Sequence, residues 1–212
     1  MSGQGISAML RPHGRLCVVI GAGSVGLRRA RSLLAAGATV RLVDPRAEAI
    51  EGVESLLRAY QPEDLAGAWL VCACTDSSPT NEAVAQDARR AGCGLVYRAD
   101  DPNHSDVTFQ STRREGPLVF SASSEGNCPA LSRRLVEQLA LPDRIGRFAE
   151  LLGQLRRKVF DATGDATERR RILAALSSPA VYEMFTSRGA QAVTAEADRL
   201  LQAPPVAESE TD

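Results

Sequence analysis

Gly21-Ala22-Gly23-Ser24-Val25-Gly26 stands between an apolar run, Leu16-Cys17-Val18-Val19-Ile20, and a segment of helical periodicity, Leu27 to Ala36. The apolar run reads as a short buried parallel strand. In the helical segment Leu27, Ala30, Leu33 and Leu34 share an apolar face, and Arg28, Arg29 and Arg31 point away from it. A second apolar strand, Thr39-Val40-Arg41-Leu42-Val43, ends in Asp44. Each part has a mechanical job. Gly21 allows the tight turn out of the strand, Gly23 lets the backbone approach a pyrophosphate, and Gly26 lets helix and strand pack closely. The helix N-terminus, at Ser24 and Val25, offers N–H groups and partial positive charge to phosphates, while Asp44 can accept from a ribose 2′-OH. The pattern predicts a dinucleotide site, against the alternative of a glycine-rich turn in some other α/β domain. Asp44 favours NAD over NADP because a 2′-phosphate would repel its carboxylate, a preference that Arg46 nearby tempers.

The alternation of strand and helix continues. Ala47 to Tyr60 contains a helical stretch, and Ala68 to Cys74 is an apolar strand ending in Thr75-Asp76-Ser77. Pro79 opens a helix to about Arg90, with Asn81 close behind its start. Thr75, Asp76 and Asn81 are expected to line the nucleotide pocket; the alternative is that they cap this helix. Gly94 to Tyr97 is a fourth strand, leading into Arg98-Ala99-Asp100-Asp101-Pro102-Asn103. The expectation is an open parallel sheet with helices on both faces.

After Pro102 the pattern changes. Val107 to Ser111 and Pro117 to Ala122 are β-rich, separated by a polar turn from Thr112 to Gly116. A second turn, Ser123-Ser124-Glu125-Gly126-Asn127-Cys128, leads to Pro129 and a helix to about Leu139. From Pro142 to Leu201 the reading is helical, with Ile145, Phe148, Leu151, Leu152 and Leu155 on one face. The tail from Ala203 is acidic, contains proline and is expected to be disordered. The predicted fold class is therefore α/β: a Rossmann-type parallel sheet over 1–106, a β-containing dimerisation and substrate region over 107–143, and a small helical domain over 144–202, before the tail 203–212.

Composition narrows the function. The net charge is −1 and only 4% of residues are aromatic, which points away from nucleic acid as a partner. Lys158 is the only lysine among 25 basic residues. Arginine binds carboxylates and phosphates bidentately, but a GC-rich coding bias would give the same composition. Cys17, Cys72, Cys74, Cys93 and Cys128 form no CxxC pair, and Cys72 and Cys74 point to one face of their strand. They read as reduced thiols filling a core, with no metal site expected. No signal peptide or membrane-spanning apolar run is seen, so a soluble, cytoplasmic protein without membrane contact is expected.

Several blocks match one family in order: Gly21 to Ala30 with its helix, Ala73-Cys74-Thr75-Asp76 followed by Asn81, Asp100-Asp101-Pro102, Pro117-Leu118, and Ser123 to Arg133. Over residues 14–155 the chain resembles the precorrin-2 dehydrogenase/sirohydrochlorin ferrochelatase family of siroheme synthesis, in its stand-alone form. The resemblance implies a Rossmann domain, a dimerisation region with swapped β elements, and a small helical domain. It implies an oxidoreductase in which NAD⁺ accepts a hydride from precorrin-2 to give sirohydrochlorin. Some members also act as a lyase, inserting Fe²⁺ to give siroheme. It places the family's important aspartate on Asp100 and its turn serine on Ser124, in a homodimer acting on a tetrapyrrole. The sequence departs from the family in the polar stretch Met1 to Arg15, in Gly26 for alanine, in Arg29 for lysine, in Gln110 for proline and in Arg98-Ala99 before the aspartate.

The chemistry suits these residue types. Removing a hydride and a proton from precorrin-2 calls for a carboxylate beside the nicotinamide, and in chelation the same group could receive pyrrolic protons. Asp100 follows a parallel strand at its carboxyl end, where ligands of such sheets bind; capping of the turn before Pro102, by Asp100 or Asp101, is the alternative. His104 nearby could assist with a proton or a metal. A substrate with many carboxylates calls for arginines and backbone N–H groups, and Ser124, Asn127, Arg113 and Arg133 are the candidates. Two readings compete with the enzyme. One is a regulatory NAD-binding module of the potassium-channel gating type, which shares the glycine loop but has no need of Asp100 or the Ser124 turn. The other is a divergent tetrapyrrole-binding chelatase without dehydrogenase activity.

Overall fold

In the computed structural model of the chain, which describes residues 5–203, two compact units are present. The first comprises residues up to Phe109 together with Ser124–Cys128; the second comprises Gln110–Ser123 and the chain from Pro129 onward. The tail expected to be disordered lies, apart from Ala203, outside the described residues.

The first unit is built on β1 (Leu16–Ile20), α1 (Ser24–Ala35), β2 (Thr39–Val43), β3 (Val53–Leu56), β4 (Leu70–Ala73), α2 (Ser78–Arg90) and β5 (Leu95–Arg98). Its five strands are all parallel, in the order β3-β2-β1-β4-β5. Successive side chains of a strand face opposite sides, and the two cores divide accordingly. Cys17, Val19, Val40, Leu42, Leu70 and Cys72 pack with Ala30 and Leu33 of α1 on one face. Val18, Ile20, Val43, Val71 and Val96 pack with Val84, Ala85 and Ala88 of α2 on the other. The expected sheet with helices on both faces is thus present. Cys72 and Cys74 do share a face, and Cys17 joins them there.

Three expectations are corrected. No helix forms between Ala47 and Tyr60; the segment supplies the edge strand β3 instead. Ile50, Val53 and Leu56 have helical spacing, but Gly52 sits at φ +78° and breaks a helix there. The open edge of β2 offers unpaired N–H and C=O groups, and Val53–Leu56 pairs with Val40–Val43, with Arg41 and Glu54 in ion-pair contact at 2.9 Å. Second, Arg29 does not point away from the core. It is half-buried, its guanidinium 4.0 Å from the Phe109 ring centroid and 5.1 Å from that of Tyr97. Cation–π contact and the long methylene stem let arginine occupy such a site. Third, Val107 and Phe109 form no hairpin strand; they pack on the sheet, with Phe109 edge-on to Tyr97 at 5.0 Å.

In the second unit β6 (Ser111–Glu115) and β7 (Leu118–Ala122) form an antiparallel pair closed by the two-residue turn Gly116-Pro117. The segment expected as turn is therefore mostly strand: alternation buries part of Arg113 and Glu115 and exposes Thr112 and Arg114, which suits polar residues on a two-stranded ribbon. Helix α3 (Pro129–Gln138) packs on this pair. Then α4 (Ile145–Ala162), α5 (Ala166–Leu176), α6 (Pro179–Arg188) and α7 (Ala190–Gln202) share a core of Phe148, Leu155, Val159, Ile172, Leu176, Phe185 and Val193. No helix among the described residues is long and apolar enough to cross a membrane.

Candidate functional site

The carboxyl ends of β1, β2 and β4 converge on a cavity of about 220 Å³ lined by Gly21, Gly23, Ser24, Val25, Asp44, Arg46, Cys74, Thr75 and Asp76. Gly21 leaves β1 at φ +102°, and a methyl group on it would stand 2.6 Å from the Cys74 carbonyl oxygen. A methyl on Gly26 would stand 1.8 Å from the Gly21 carbonyl oxygen, so helix and turn touch through backbone there. Gly26 is buried beneath the loop and helps shape it without lining the cavity. A methyl on Gly23 would meet nothing within 4 Å.

This arrangement fits a dinucleotide. The space in front of Gly23 is open, and α1 starts with no side-chain cap and no acidic residue in its first turn. Its first N–H groups have no partner inside the helix and are left to an anion. Asp44 is not a free acceptor: Oδ2 accepts from the Ala22 N–H at 2.8 Å and Oδ1 from the Arg46 N–H at 2.7 Å. It ties the end of β2 to the glycine loop, and a carboxylate retains lone pairs for a ribose hydroxyl. Arg46 and Asp76, both highly exposed, approach to 4.0 Å at the same cavity.

Asn81 is fully buried and does not line the cavity. Its Oδ1 accepts from the Thr75 N–H at 3.0 Å and hydroxyl at 2.8 Å, and its Nδ2 donates to the Thr75 carbonyl and, at 3.0 Å, to Asp100 Oδ1. Asn81 therefore joins the cavity wall to Asp100. Capping of α2 falls to Ser77, whose hydroxyl accepts from the Thr80 N–H. Asp100 Oδ2 accepts from the Ser78 hydroxyl at 2.7 Å and from Arg98 at 3.0 Å. Partial burial pushes the Asp100 carboxyl up, but the bonds from Arg98, Ser78 and Asn81 outweigh it and hold the group down at about 2. The turn-capping alternative is realised one residue on. Asp101 accepts from the His104 N–H and opens a 3-10 turn at Pro102–His104, and its Oδ2 lies 2.7 Å from His104 Nδ1. Those contacts hold the Asp101 carboxyl below its ordinary range.

A second, more open hollow of about 490 Å³ is lined by Ser78, Pro79, Glu82, Arg98, Asp101 and His104. Ser78 and Glu82, which sequence reasoning missed, carry this part of the site with Arg98, which the sequence marked only as a departure from the family and gave no role. The available signal was the arginine closing an otherwise apolar strand. Four thiols are inert fillers: burial pushes Cys17 up to about 11 and Cys74 to about 12, and raises Cys72 and Cys93.

The proposed substrate contacts divide between the units. In the Ser124–Cys128 segment, the Ser124 hydroxyl accepts from the Cys128 N–H at 2.9 Å and its carbonyl accepts from the Asn127 side chain at 2.9 Å, which is turn geometry. In the second unit Arg113 donates to the Leu139 carbonyl at 2.8 Å, and Arg133 pairs with Glu137 at 2.7 Å along α3.

Comparison with known proteins points to nucleotide binding in the same part of the chain. Residues 8–111 match a family described as putative NAD(P)-binding. The chain is 39% identical over 168 residues to siroheme synthase 2 of Aeromonas salmonicida, covering 76% of this chain and 35% of that protein. It is 32% identical over 208 residues to the siroheme synthase of Pseudomonas fluorescens, covering 93% and 45%. It spans less than half the length of these relatives. Among solved structures, SirC, a precorrin-2 dehydrogenase, shares the fold with a TM-score of 0.75 over 92% of this chain and 99% of that one, at 18% identity. The chain is thus related in sequence to siroheme synthases, matches a putative NAD(P)-binding family over residues 8–111, and shares the fold of a precorrin-2 dehydrogenase.

Proposed function

We propose that the protein oxidises precorrin-2 to sirohydrochlorin, with NAD⁺ as hydride acceptor. The observation that carries this reading is the buried bridge at Asn81, which links Thr75 on the nucleotide cavity to Asp100. A purely regulatory nucleotide module has no use for that bridge. NAD, when bound, supplies the hydride acceptor. Gly21, Gly23, Ser24, Val25 and Gly26 shape the phosphate site, Asp44 faces the adenine ribose, and Thr75 and Asp76 border the cleft. Asp44 disfavours a 2′-phosphate by charge, which selects NAD over NADP.

Asp100 is the carboxylate that serves the oxidation, and Ser124, Asn127, Arg113 and Arg133 bind substrate carboxylates. Fe²⁺ insertion into sirohydrochlorin would use the same carboxylate. The working form is a homodimer in the cytoplasm. Leu131 and Leu135, one turn apart on α3, and Leu139 just beyond its end, at 52%, 57% and 40% exposure, support pairing of the 107–143 region. Four buried thiols without a disulfide suit a reducing compartment.

The test is anaerobic incubation with precorrin-2 and NAD⁺, following sirohydrochlorin absorbance, with Asp100→Ala in parallel. No NAD-dependent product from the unaltered protein sinks the reading. Normal oxidation by Asp100→Ala removes Asp100 from it while leaving the reaction. Adding Fe²⁺ to preformed sirohydrochlorin tests chelation separately.

A further inference from the structure

Arg98 closes β5 at a position where a buried parallel strand ordinarily carries an apolar side chain, and it is 5% exposed. A guanidinium cannot shed its charge, so burial requires opposite charge around it. Three carboxylates supply that charge. Glu82 on α2 accepts from Nη1, Asp100 accepts from Nη2 at 3.0 Å, and Asp101 lies 3.6 Å from Nη1. Nε is buried without a partner, so the group is oriented by its two terminal nitrogens.

The partners of Asp100 are set from several directions. Ser78 and Asn81 donate to it from α2, and Glu82 on that helix meets it only through Arg98. Asp101 is drawn toward His104, and Cys74, at the end of β4, keeps its thiol protonated. Among the described residues Arg98 is the one cation bonded to Asp100. Both Asp100 oxygens accept from donors, Oδ1 from Asn81 and Oδ2 from Ser78 and Arg98, and each of these bonds favours the charged form.

We propose that Arg98 is a positioning residue that locks Asp100 as a permanent anion, which stabilises positive charge on the tetrapyrrole without taking its proton. This rests on the precorrin-2 reading above. As the C–H electron pair leaves with the hydride for the bound nicotinamide, the macrocycle is left cationic beside a fixed carboxylate. The cation then loses its proton to water, giving sirohydrochlorin, NADH and one proton. A carboxyl held at about 2 is a poor proton acceptor near neutrality but a dependable negative charge.

The test reads Asp100 directly by carboxyl ¹³C NMR, assigned with Asp100→Asn, and reads kcat and KM against pH for precorrin-2 oxidation. Arg98→Met is compared with Arg98→Lys. Because Arg98→Met leaves three carboxylates together, the double variant Arg98→Met/Glu82→Gln removes one negative charge and protects folding, checked by circular dichroism. The unaltered protein is expected to keep Asp100 ionised down to about pH 4, with no acid limb in kcat from this group. Arg98→Met and the double variant should raise the Asp100 titration by more than about one pH unit, the scale of losing an adjacent opposite charge. They should bring a matching acid limb into kcat with KM little changed, and Arg98→Lys should reverse most of it. An Asp100 that titrates at or above its ordinary 3.8 in the unaltered protein, or is unmoved in both Met variants, overturns the proposal. An unaltered protein that never oxidises precorrin-2, with Asp100 shifting as described, overturns the reaction and leaves the hold of Arg98 on Asp100 standing.

Discussion

Replacing Gly26 with alanine tests the tightest contact in the nucleotide loop. The added methyl would stand 1.8 Å from the Gly21 carbonyl oxygen, whereas ordinary contact begins near 3.4 Å, so one partner must retreat by more than an ångström. Gly21 has little room. Its N–H donates to the Val43 carbonyl at 2.9 Å, and its other side faces the Cys74 carbonyl. The retreat therefore falls on α1, whose Ala30 and Leu33 are buried against the sheet. Overpacking of this kind costs roughly 1–3 kcal/mol, and the better helix propensity of alanine returns about 1 kcal/mol. A net loss of up to about 2 kcal/mol lowers Tm by up to several degrees in a domain of this size, and the altered turn weakens NADH binding. Gly23→Ala is the control. Its φ of −67° suits alanine and its methyl meets no protein atom. That variant should melt with the parent yet bind NADH at least about tenfold more weakly, because the methyl occupies pyrophosphate space. Thermal melts without nucleotide and NADH fluorescence titrations read both. A Gly26→Ala protein that melts and binds like the parent refutes the close approach. Normal binding by Gly23→Ala refutes the place given to the pyrophosphate.

Asp44→Ala should leave the Ala22 and Arg46 N–H groups without their acceptor, weakening NADH binding at least about tenfold with a stability loss of about 1 kcal/mol, read by the same two assays. Asp64→Ala removes a carboxylate that is 4% exposed and holds Arg58 at 2.5 and 2.9 Å and the Gln61 N–H at 2.9 Å. Since Arg58 is 42% exposed and can return to water, the loss in urea unfolding should be about 1–3 kcal/mol, short of that for a wholly buried pair. Asp100, lowered from 3.8 to about 2, contributes stability that is fully present above its unfolded value and lost as pH falls through its folded one. The contribution is about 2 kcal/mol before solvent screening and about 1 kcal/mol after it, so Asp100→Asn should flatten the stability curve between about pH 5 and 2.

Much of this could be read from residue order because the first unit is built of local βα repeats. The glycine loop, Asp44, the strand ending at Ala73 and the helix after Ser77 each announce themselves within a dozen residues. What escaped depends on partners distant in the chain. Val53–Leu56 becomes a strand because β2 has an open edge, and no local pattern records that edge. Phe109 leaves the hairpin because Tyr97 and Arg29 await it on the sheet. Arg98, which the sequence marks only as a departure from the family before Asp100, takes its meaning from Glu82, Asp100 and Asp101, which the fold brings around it. Asn81 was singled out as a pocket residue and instead stands behind Thr75, since helical rotation turns it inward.

The sheet register brings two carboxylates far apart in sequence to one edge, where the proposed dinucleotide would reach both. Ile20 is level with Val43 on one side and Ala73 on the other, and Ala73 is level with Arg98. The first residues beyond the strands, Asp44, Gly21, Cys74 and Ala99, therefore lie abreast along the carboxyl edge, with Asp100 one residue further. Strands stand about 4.8 Å apart, so β2 and β5 are separated by roughly 14 Å. A ligand touching both Asp44 and Asp100 must span that width, crossing the glycine loop on the way. A mononucleotide is too short. An extended dinucleotide, its adenine ribose at Asp44 and its other end meeting a substrate beside Asp100, has the required length. A one-residue slip between β4 and β5 would also turn Arg98 to the other face and free Asp100 from its clamp, so the register that places the carboxylate also fixes its charge.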